Sequence, residues 1–556
     1  MLPAEFADQR RFPHLQPAAS FGLDSPRISR HHARMHTFPC ATLQRLFILL
    51  MVGVCFANAL VVESADSSQR PNFLLIMADD MGFSDIGCYG GEIHTPNLDR
   101  LASEGLRFTQ FYNNAKCTTT RASLLSGMYP RGDGSSIPLE IPTIGEVLRM
   151  AGYQTALSGK WHLGSRSPQR PYDRGFDEYY GLMDGCCNFF NPAQRDPSFK
   201  GGRVRVFGRN DQLITSFPED YYTTDAFTDH AIETMRRFAQ SDKPFFMHVA
   251  YTAPHYPLHA PPADIEHYRG RYRMGWEKLR EQRHARQLEL GLLDPRWKLS
   301  GTDSAAYDWA ASNQDWEDHR MAVYAAMVDR MDQNIGRLLQ TLRDLGMETN
   351  TLVMFLSDNG GCSEEPGGRD SSQEPGIAST YTAVGPAWGW AQNSPFRRYK
   401  SWVHEGGITT PFIVRCPGRL KPQPGSIVSE QGHIIDILPT CLALADAAFP
   451  DEFRNQPTMP LEGRSLMPIF QGRAPQDERH LFWEWAGNAA VRLGDWKLVW
   501  DKLNREKKWE LYNLAEDRTE LHNKASENPS MVKDLVKAFE SWAQATARNI
   551  PAQESP

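Results

Sequence analysis

The stretch "RPNFLLIMADDMG", residues 70–82, decides how the chain folds. From Phe73 to Ala78 every side chain is apolar, with no polar residue at alternate positions. A strand with one wet face alternates, whereas a strand covered on both faces does not, as in parallel sheets flanked by helices. The run then stops on Asp79 and Asp80, which puts charge at the carboxyl end of a buried strand. Two later runs repeat the pattern. "PFFMHVAYTAPHYPLHAPP" (244–262) leads into a loop rich in Pro and His, and "TLVMFLSDNGG" (351–361) ends in Asp358 and Asn359. Between them, residues 320–346 place Tyr324, Met327, Val328, Met331, Ile335, Leu338, Leu339 and Leu342 on one helical face, with Gly346 as the C-terminal cap. Strands alternating with helices predict an α/β fold around a large, mostly parallel sheet. Ligands bind at the carboxyl ends of the strands in such sheets.

Composition bounds the rest. The 556 residues are 41% hydrophobic and 23% charged, with net charge -7, enough for one large domain and a smaller one. Mild acidity argues against a nucleic-acid partner, which needs clustered positive charge. The basic run "RGRYRMGWEKLREQRHARQ" (269–287) has apolar residues at helical spacing and reads as a solvated helix face. Near residue 475 the composition shifts to short aromatic-rich strands joined by turns such as "LGDW". A helix follows at about 530–546, carrying Met531, Leu535, Phe539 and Trp542. The expected division is residues 1–65 as an N-terminal extension and signal peptide, 70–474 as the main domain, and 475–556 as a small α+β domain.

At the N-terminus, "LFILLMVGVCF" (46–56) has the length of a signal-peptide core and is short for a membrane span. Ala57-Asn58-Ala59 supplies a small-x-small cleavage pattern, and Met35 offers an alternative start. The mature protein is therefore expected to be exported, periplasmic or secreted, with no stable membrane insertion after cleavage. Nine cysteines are present, of which Cys40 and Cys55 fall in the leader. Setting Cys117 apart leaves Cys88, Cys186, Cys187, Cys362, Cys416 and Cys441, an even set that would pair in an oxidising compartment. No Cys or His spacing suits zinc.

The chemistry-bearing residues fall into two groups. Asp79, Asp80, Asp358 and Asn359 form a hard, all-oxygen set suited to Ca²⁺ or Mg²⁺. Each pair alone is an ordinary turn signal, and it is two such pairs on separate buried strands that argue for a cation. The second group is cationic: Lys160 and His162 in "LSGKWHLG", His255 and His259 in "APHYPLH", and Arg397, Arg398, Lys400 and His404 in "FRRYKSWVHEGG". Near a divalent metal, such groups would hold a tetrahedral oxyanion ester, with an imidazole protonating the departing oxygen. In "NAKCTTTRASLLSGMYP", Cys117 sits among small hydroxyl residues with Arg121 close behind.

Cys-x-x-x-Arg-Ala-Ser-Leu-Leu-Ser-Gly, behind a strand ending in Asp-Asp and ahead of Gly-Lys-Trp-His-Leu-Gly, resembles the type I sulfatases. The resemblance runs on through "TAPHYPLHAP", "SDNGG" and "SPFRRYKSWVHEGGITTPFIVRCPG" to "WELYNLAEDRTELHN", covering nearly all of residues 70–525. The run "AVGPAWGWAQNSPFRRYKSWVHEGG" is most similar to the bacterial arylsulfatase branch. The fold this implies is the alkaline-phosphatase-like α/β sandwich with a small C-terminal antiparallel sheet. The activity implied is hydrolysis of sulfate monoesters, on an aryl sulfate or a sulfated carbohydrate.

By the same resemblance, a maturing enzyme converts Cys117 to formylglycine. Ca²⁺, in preference to Mg²⁺, is bound by Asp79, Asp80, Asp358 and Asn359, with the modified Cys117 completing the sphere. Arg121 steadies the formylglycine and His162 is its hydrogen-bond partner. Lys160, His255 and Lys400 contact the sulfate. A hydroxyl of the hydrated aldehyde attacks sulfur, His255 protonates the leaving oxygen, and loss of a proton from the second hydroxyl, to His162, expels sulfate. Thr119 stands where the family's maturation signal usually carries Pro or Ala. Two other readings use the same residues: a phosphomonoester or phosphonate hydrolase of the superfamily, and an unmodified, non-catalytic glycan-binding relative. The pocket rim is expected from residues 183–215, 262–318 and 362–395, and the "RGD" at 131–133 is read as chance.

Overall fold

The computed structural model describes residues 70–475 and 477–551. The expected leader, with its cleavage pattern and alternative start, lies outside the described residues. No helix among the described residues is long and apolar enough to cross a membrane.

Strand β1 (Asn72–Ala78) is buried along its whole length, as its unbroken apolar run requires. The main sheet continues with β2 (Leu106–Tyr112), β3 (Gln154–Gly159), β4 (Glu178–Leu182), β5 (Phe207–Arg209), β6 (Gln212–Leu213), β7 (Phe245–Ala250), β8 (Thr351–Ser357), β9 (Thr409–Arg415), β10 (Ile427–Val428) and β11 (Gly432–His433). Their order is β10-β2-β9-β8-β1-β7-β3-β4-β5-β6, with β11 also on β2. The centre, β8-β1-β7-β3-β4, is parallel. Only β9 breaks the inner run, pairing antiparallel with both β2 and β8.

Side chains of β1 alternate between two cores. Leu74, Ile76 and Ala78 face a layer containing the long helix Gln314–Asp344, while Phe73, Leu75 and Met77 face a layer containing the helix Cys117–Ser126. That alternation makes an α/β/α sandwich. The long helix buries all eight residues assigned to its face, and Gly346 just beyond it takes a positive φ of 66°. After a small hairpin, β12 (Glu452–Phe453) with β13 (Gln456–Pro457), comes an antiparallel meander of β14 (His480–Trp485), β15 (Asn488–Leu493), β16 (Trp496–Trp500) and β17 (Glu510–Asn513). The "LGDW" turn joins β15 to β16, pairing Leu493 with Trp496. The helix Pro529–Ala545 closes this part with Leu535, Phe539 and Trp542 buried.

Two expectations need correction. The basic run 269–287 is not wholly solvated: on the helix Trp276–Glu289, Arg280 and Arg283 are buried. Arg283 pairs with Asp85 and Glu92, and Arg280 caps carbonyls of Ser300, Trp390 and Pro395. The cysteines do not pair either: the seven described are all free and buried. Cys88 and Cys187 pack on one side of the sheet and Cys416 and Cys441 on the other, filling core space as small apolar residues.

The meander is fastened to the main sheet by buried charge. Lys497 on β16 lies 2.8 Å from both Glu405 and Glu520, while Arg518 and Tyr112 also reach Glu405. Breaking a buried pair strands the remaining charge in a medium that solvates it poorly. Lys497→Met is therefore expected to cost about 3 kcal/mol in urea or thermal unfolding. A loss below about 1 kcal/mol would contradict this account.

Candidate active site

The register of the parallel strands gathers the site. Ala78 on β1 is level with Ser357 on β8, so the next residues of each strand, Asp79-Asp80 and Asp358-Asn359, emerge side by side. Backbone bonds lock them: Asp358 N–H donates to Ala78 O, and Asp80 N–H to Asp358 Oδ1, each at 3.1 Å. Gly159 on β3 is level with Ala250 on β7, and Lys160 N–H donates to Ala250 O at 2.7 Å. Residues 160 and 162 therefore leave the same edge as the loop carrying His255. Cys117 begins the helix that follows β2, and Lys400 lies ahead of the antiparallel β9, whose amino end reaches this edge. All ten residues assigned from sequence thus meet at one end of the sheet.

The three carboxylates are sealed from water, Asp79 and Asp358 at 0% exposure and Asp80 at 1%. Buried carboxylates need cations. Lys160 Nζ donates to Asp79 Oδ2 at 2.5 Å and Lys400 Nζ to Asp80 Oδ2 at 2.8 Å. Arg121 donates through Nε and a terminal nitrogen to Asp358 Oδ2, at 3.1 and 2.7 Å, and a third N–H binds Lys160 O. Arg121 here clamps a carboxylate. Asn359 Nδ2 donates to Asp80 Oδ1 at 2.7 Å. Cys117 Sγ lies 3.4 Å from His162 Nδ1, and His255 Nε2 is 3.4 Å from both Asp80 Oδ2 and Lys400 Nζ. Gly185 lies against the His162 ring, where a Cβ would come within 2.7 Å of Cε1, so only glycine leaves the imidazole in place.

Ionisation follows from this burial. Burial and the neighbouring Asp358 raise Asp79, whereas Lys400, His255 and Lys160 together outweigh burial and hold Asp80 well below the carboxylate range. Burial pushes His255 down to about 3 and His162 well below its usual value, so both imidazoles are neutral. Burial also raises the Cys117 thiol against the pull of Lys160, Lys400 and Lys116. As a thiol it stays protonated, a poor nucleophile. Asp80, Ala115, His162 and Ser401 all hold positive φ, between 60° and 74°. Strained backbone in four of the segments entering the site, though not in those carrying His255 and Asp358, marks side chains aimed by the fold.

The donor set fits a divalent cation. Asp79, Asp80 and His255 each offer a ligand atom within 4.8 Å of the others. Asp79 Oδ1 and Asn359 Oδ1 are buried acceptors with no hydrogen-bond partner, which oxygen ligation would satisfy.

A cleft of about 440 Å³ opens onto the site. Sequence reasoning anticipated Asp184, Cys186, Lys200, Arg203 and Arg205 from the 183–215 loop and Glu364 from the 362–395 segment. It missed Lys116, Asp133, Tyr256 and Trp485. No residue of 262–318 lines the cleft, because that segment packs its helix into the core. Asp133 of the discounted "RGD" does line it. Of the other candidate cations, Arg398 pairs with Asp303 and Asp501, Arg397 binds Tyr512 and the Glu520 carbonyl, His259 reaches Thr380 O, and His404 is enclosed beside them. The two arginines and His259 hold loops, while both ring nitrogens of His404 are buried without a hydrogen-bond partner among the described residues.

The sulfatase family model matches residues 71–447, and that of the N-sulphoglucosamine sulphohydrolase C-terminal region matches residues 396–545. An uncharacterized sulfatase of Schizosaccharomyces pombe is 33% identical over 84% of this chain and 93% of its own. The arylsulfatase of Klebsiella aerogenes is 32% identical over 73% of this chain and 93% of its own. Among solved structures, Ps i-CgsB in complex with k-i-k-neocarrahexaose superposes with a TM-score of 0.64 at 27% identity, over 88% of this chain and 96% of that one.

Divalent cation added to chelator-treated protein is expected to raise the melting temperature. At about a hundredfold excess over the dissociation constant the gain is about 2.7 kcal/mol. Asp79→Asn and Asn359→Leu should each remove most of it, and an unshifted wild type would contradict the fit.

Proposed function

The chain belongs to the sulfatase family, and from that premise we propose that it hydrolyses sulfate monoesters at this cleft, with Ca²⁺ as its metal and a formylglycine made from Cys117 as its nucleophile. The observation that carries this reading is the convergence of Cys117, two lysines and two neutral imidazoles on a group of buried carboxylates. Asp79, Asp80, Asp358 and Asn359 would hold the Ca²⁺, which supplies Lewis-acid polarisation of an ester oxygen. Formylglycine hydrate supplies an oxygen nucleophile with a second hydroxyl on the same carbon.

The chain's own groups do the rest. Lys160 and Lys400 present ammonium charge to the ester oxygens, where negative charge grows as the S–O bond breaks. His255 Nδ1 lies 2.5 Å from the Tyr256 carbonyl, which keeps that nitrogen protonated and turns Nε2 toward the cleft. His255 can therefore donate to the leaving oxygen only once Nε2 has taken up a proton, and Lys400 Nζ, 3.4 Å away and held as an ammonium by Asp80, keeps its own. His162 Nδ1 faces the side chain at position 117 and is placed to take a proton from a hydroxyl there. Arg121 keeps Asp358 in register and does not face the ester.

The substrate is a sulfated small molecule or glycan, a reading supported by the carbohydrate complex of the structural relative and by a cleft of about 440 Å³. The expected leader supports export to the periplasm or beyond the cell. An aryl sulfate is expected to be turned over with higher kcat/KM than the matching aryl phosphate. Faster phosphate turnover would replace this function by phosphomonoester hydrolysis. Lys400→Ala should lower kcat/KM for the sulfate by about a hundredfold or more.

A further inference from the structure

Glu364 is a carboxylate that the chemistry above does not use. It lines the cleft beside Lys116, Cys117, His255, Tyr256 and Lys400. Its Oε1 accepts from Lys116 Nζ at 2.7 Å and stands 3.6 Å from Lys400 Nζ, and its Oε2 accepts from the Tyr256 hydroxyl. Unlike the three sealed carboxylates, it keeps about a third of its side chain open, 36%. An acid at the mouth of an anion-binding site opposes the site's purpose unless the charge of the anion matters. Lys116 and Lys400 keep it ionised despite its burial.

The charges around the position of the ester are few enough to follow. Lys400 and Lys116 line the cleft at the catalytic end, with Lys160 buried behind them on Asp79; farther out Lys200 reaches the Tyr256 hydroxyl at 3.3 Å, while Arg203 and Arg205 are paired with Asp184 and Asp196. Glu364 takes Lys116 wholly and shares Lys400, so it cancels one positive charge of the cradle without entering the group of sealed carboxylates. Of the other acids on the cleft wall, Asp184 is neutralised by Arg203, while Asp133 accepts from Ser135 and is not among the groups bonded to Lys116 or Lys400. A sulfate monoester carries a single negative charge at neutral pH. A phosphate monoester there carries close to two, and so does free sulfate. A fixed unit charge a few ångströms away repels a dianion about twice as strongly as a monoanion, so it discriminates by one full charge–charge interaction.

Resting on the reading of this cleft as a sulfate-ester site, we propose that Glu364 is a specificity-determining residue that tunes the cradle to monoanionic esters and against dianions. The phosphate ester is disfavoured at entry, and the sulfate product is disfavoured once released into the cleft. The carboxylate acts through its charge, and its hydrogen bonds to Lys116 and Tyr256 hold that charge in place.

Glu364→Gln tests this directly, because an amide keeps the acceptor for Lys116 and removes the charge, giving up only the acceptor for the Tyr256 hydroxyl. Aryl phosphate and aryl sulfate turnover are measured on the same sample, so the folded fraction cancels in their ratio. The expected result is a rise of about tenfold in the phosphate-to-sulfate ratio of kcat/KM, with a fall of similar size in the Ki of inorganic sulfate. A ratio and a Ki within twofold of the wild type, or moving the other way, would overturn the proposal, and so would equal losses on both esters, the signature of a purely structural tether. Glu364→Ala serves if the glutamine variant does not fold. Should the wild type turn over only the phosphate, the sulfatase reading falls. The Ki of inorganic sulfate against that ester still decides the role of Glu364.

Discussion

Three carboxylates with almost no contact with water meet at the ends of two adjacent parallel strands, and the rest of the site is arranged to make that tolerable. Each oxygen needs a cation or a donor, since an isolated buried carboxylate would otherwise take up a proton. Lys160, Lys400 and Arg121 arrive from three different segments to answer that need, and Asn359 adds an amide. Two acceptors stay unanswered, Asp79 Oδ1 and Asn359 Oδ1. Their position makes the same cluster a cation site, so stability and function draw on one group of charges.

The constraint reaches outward. Lys400, which neutralises Asp80, is thereby held at the floor of a cleft where an anionic ester would meet it, with Lys160 on Asp79 buried behind. Burial that forces these pairings also keeps His162 and His255 neutral and the Cys117 thiol protonated. A protonated thiol at the head of a helix, touching an imidazole, is inert as it stands, which agrees with its reading as a precursor. Beyond this floor, Glu364 trims the positive charge an incoming ligand feels.

Much of this was legible in the chain. Unbroken apolar runs ending in Asp79-Asp80 and Asp358-Asn359 announce buried parallel strands, and their ends are where a parallel sheet binds ligands. The long helix was readable from eight apolar residues at one spacing, and Gly346 from its place after them. What escaped depended on long-range packing. Nothing local marks Arg280 and Arg283 as buried, because their partners, Asp85, Glu92 and several carbonyls, lie far away in sequence. Glu364 reads as one acid in a loop until Lys116 and Lys400 close on it. Trp485 reaches the cleft from the end of β14, far along the chain from the other lining residues. Even numbers of cysteines likewise say nothing of distance: the fold distributes these six over three separate buried clusters.

The central claim is that residue 117 acts as a modified side chain. Mass spectrometry of the peptide containing it, from protein produced in its native host, tests this most directly. The account predicts that one sulfur and two hydrogens are replaced by a single oxygen, with aryl sulfate turnover following the modified fraction. An intact thiol in protein that hydrolyses sulfate esters at full rate would contradict it.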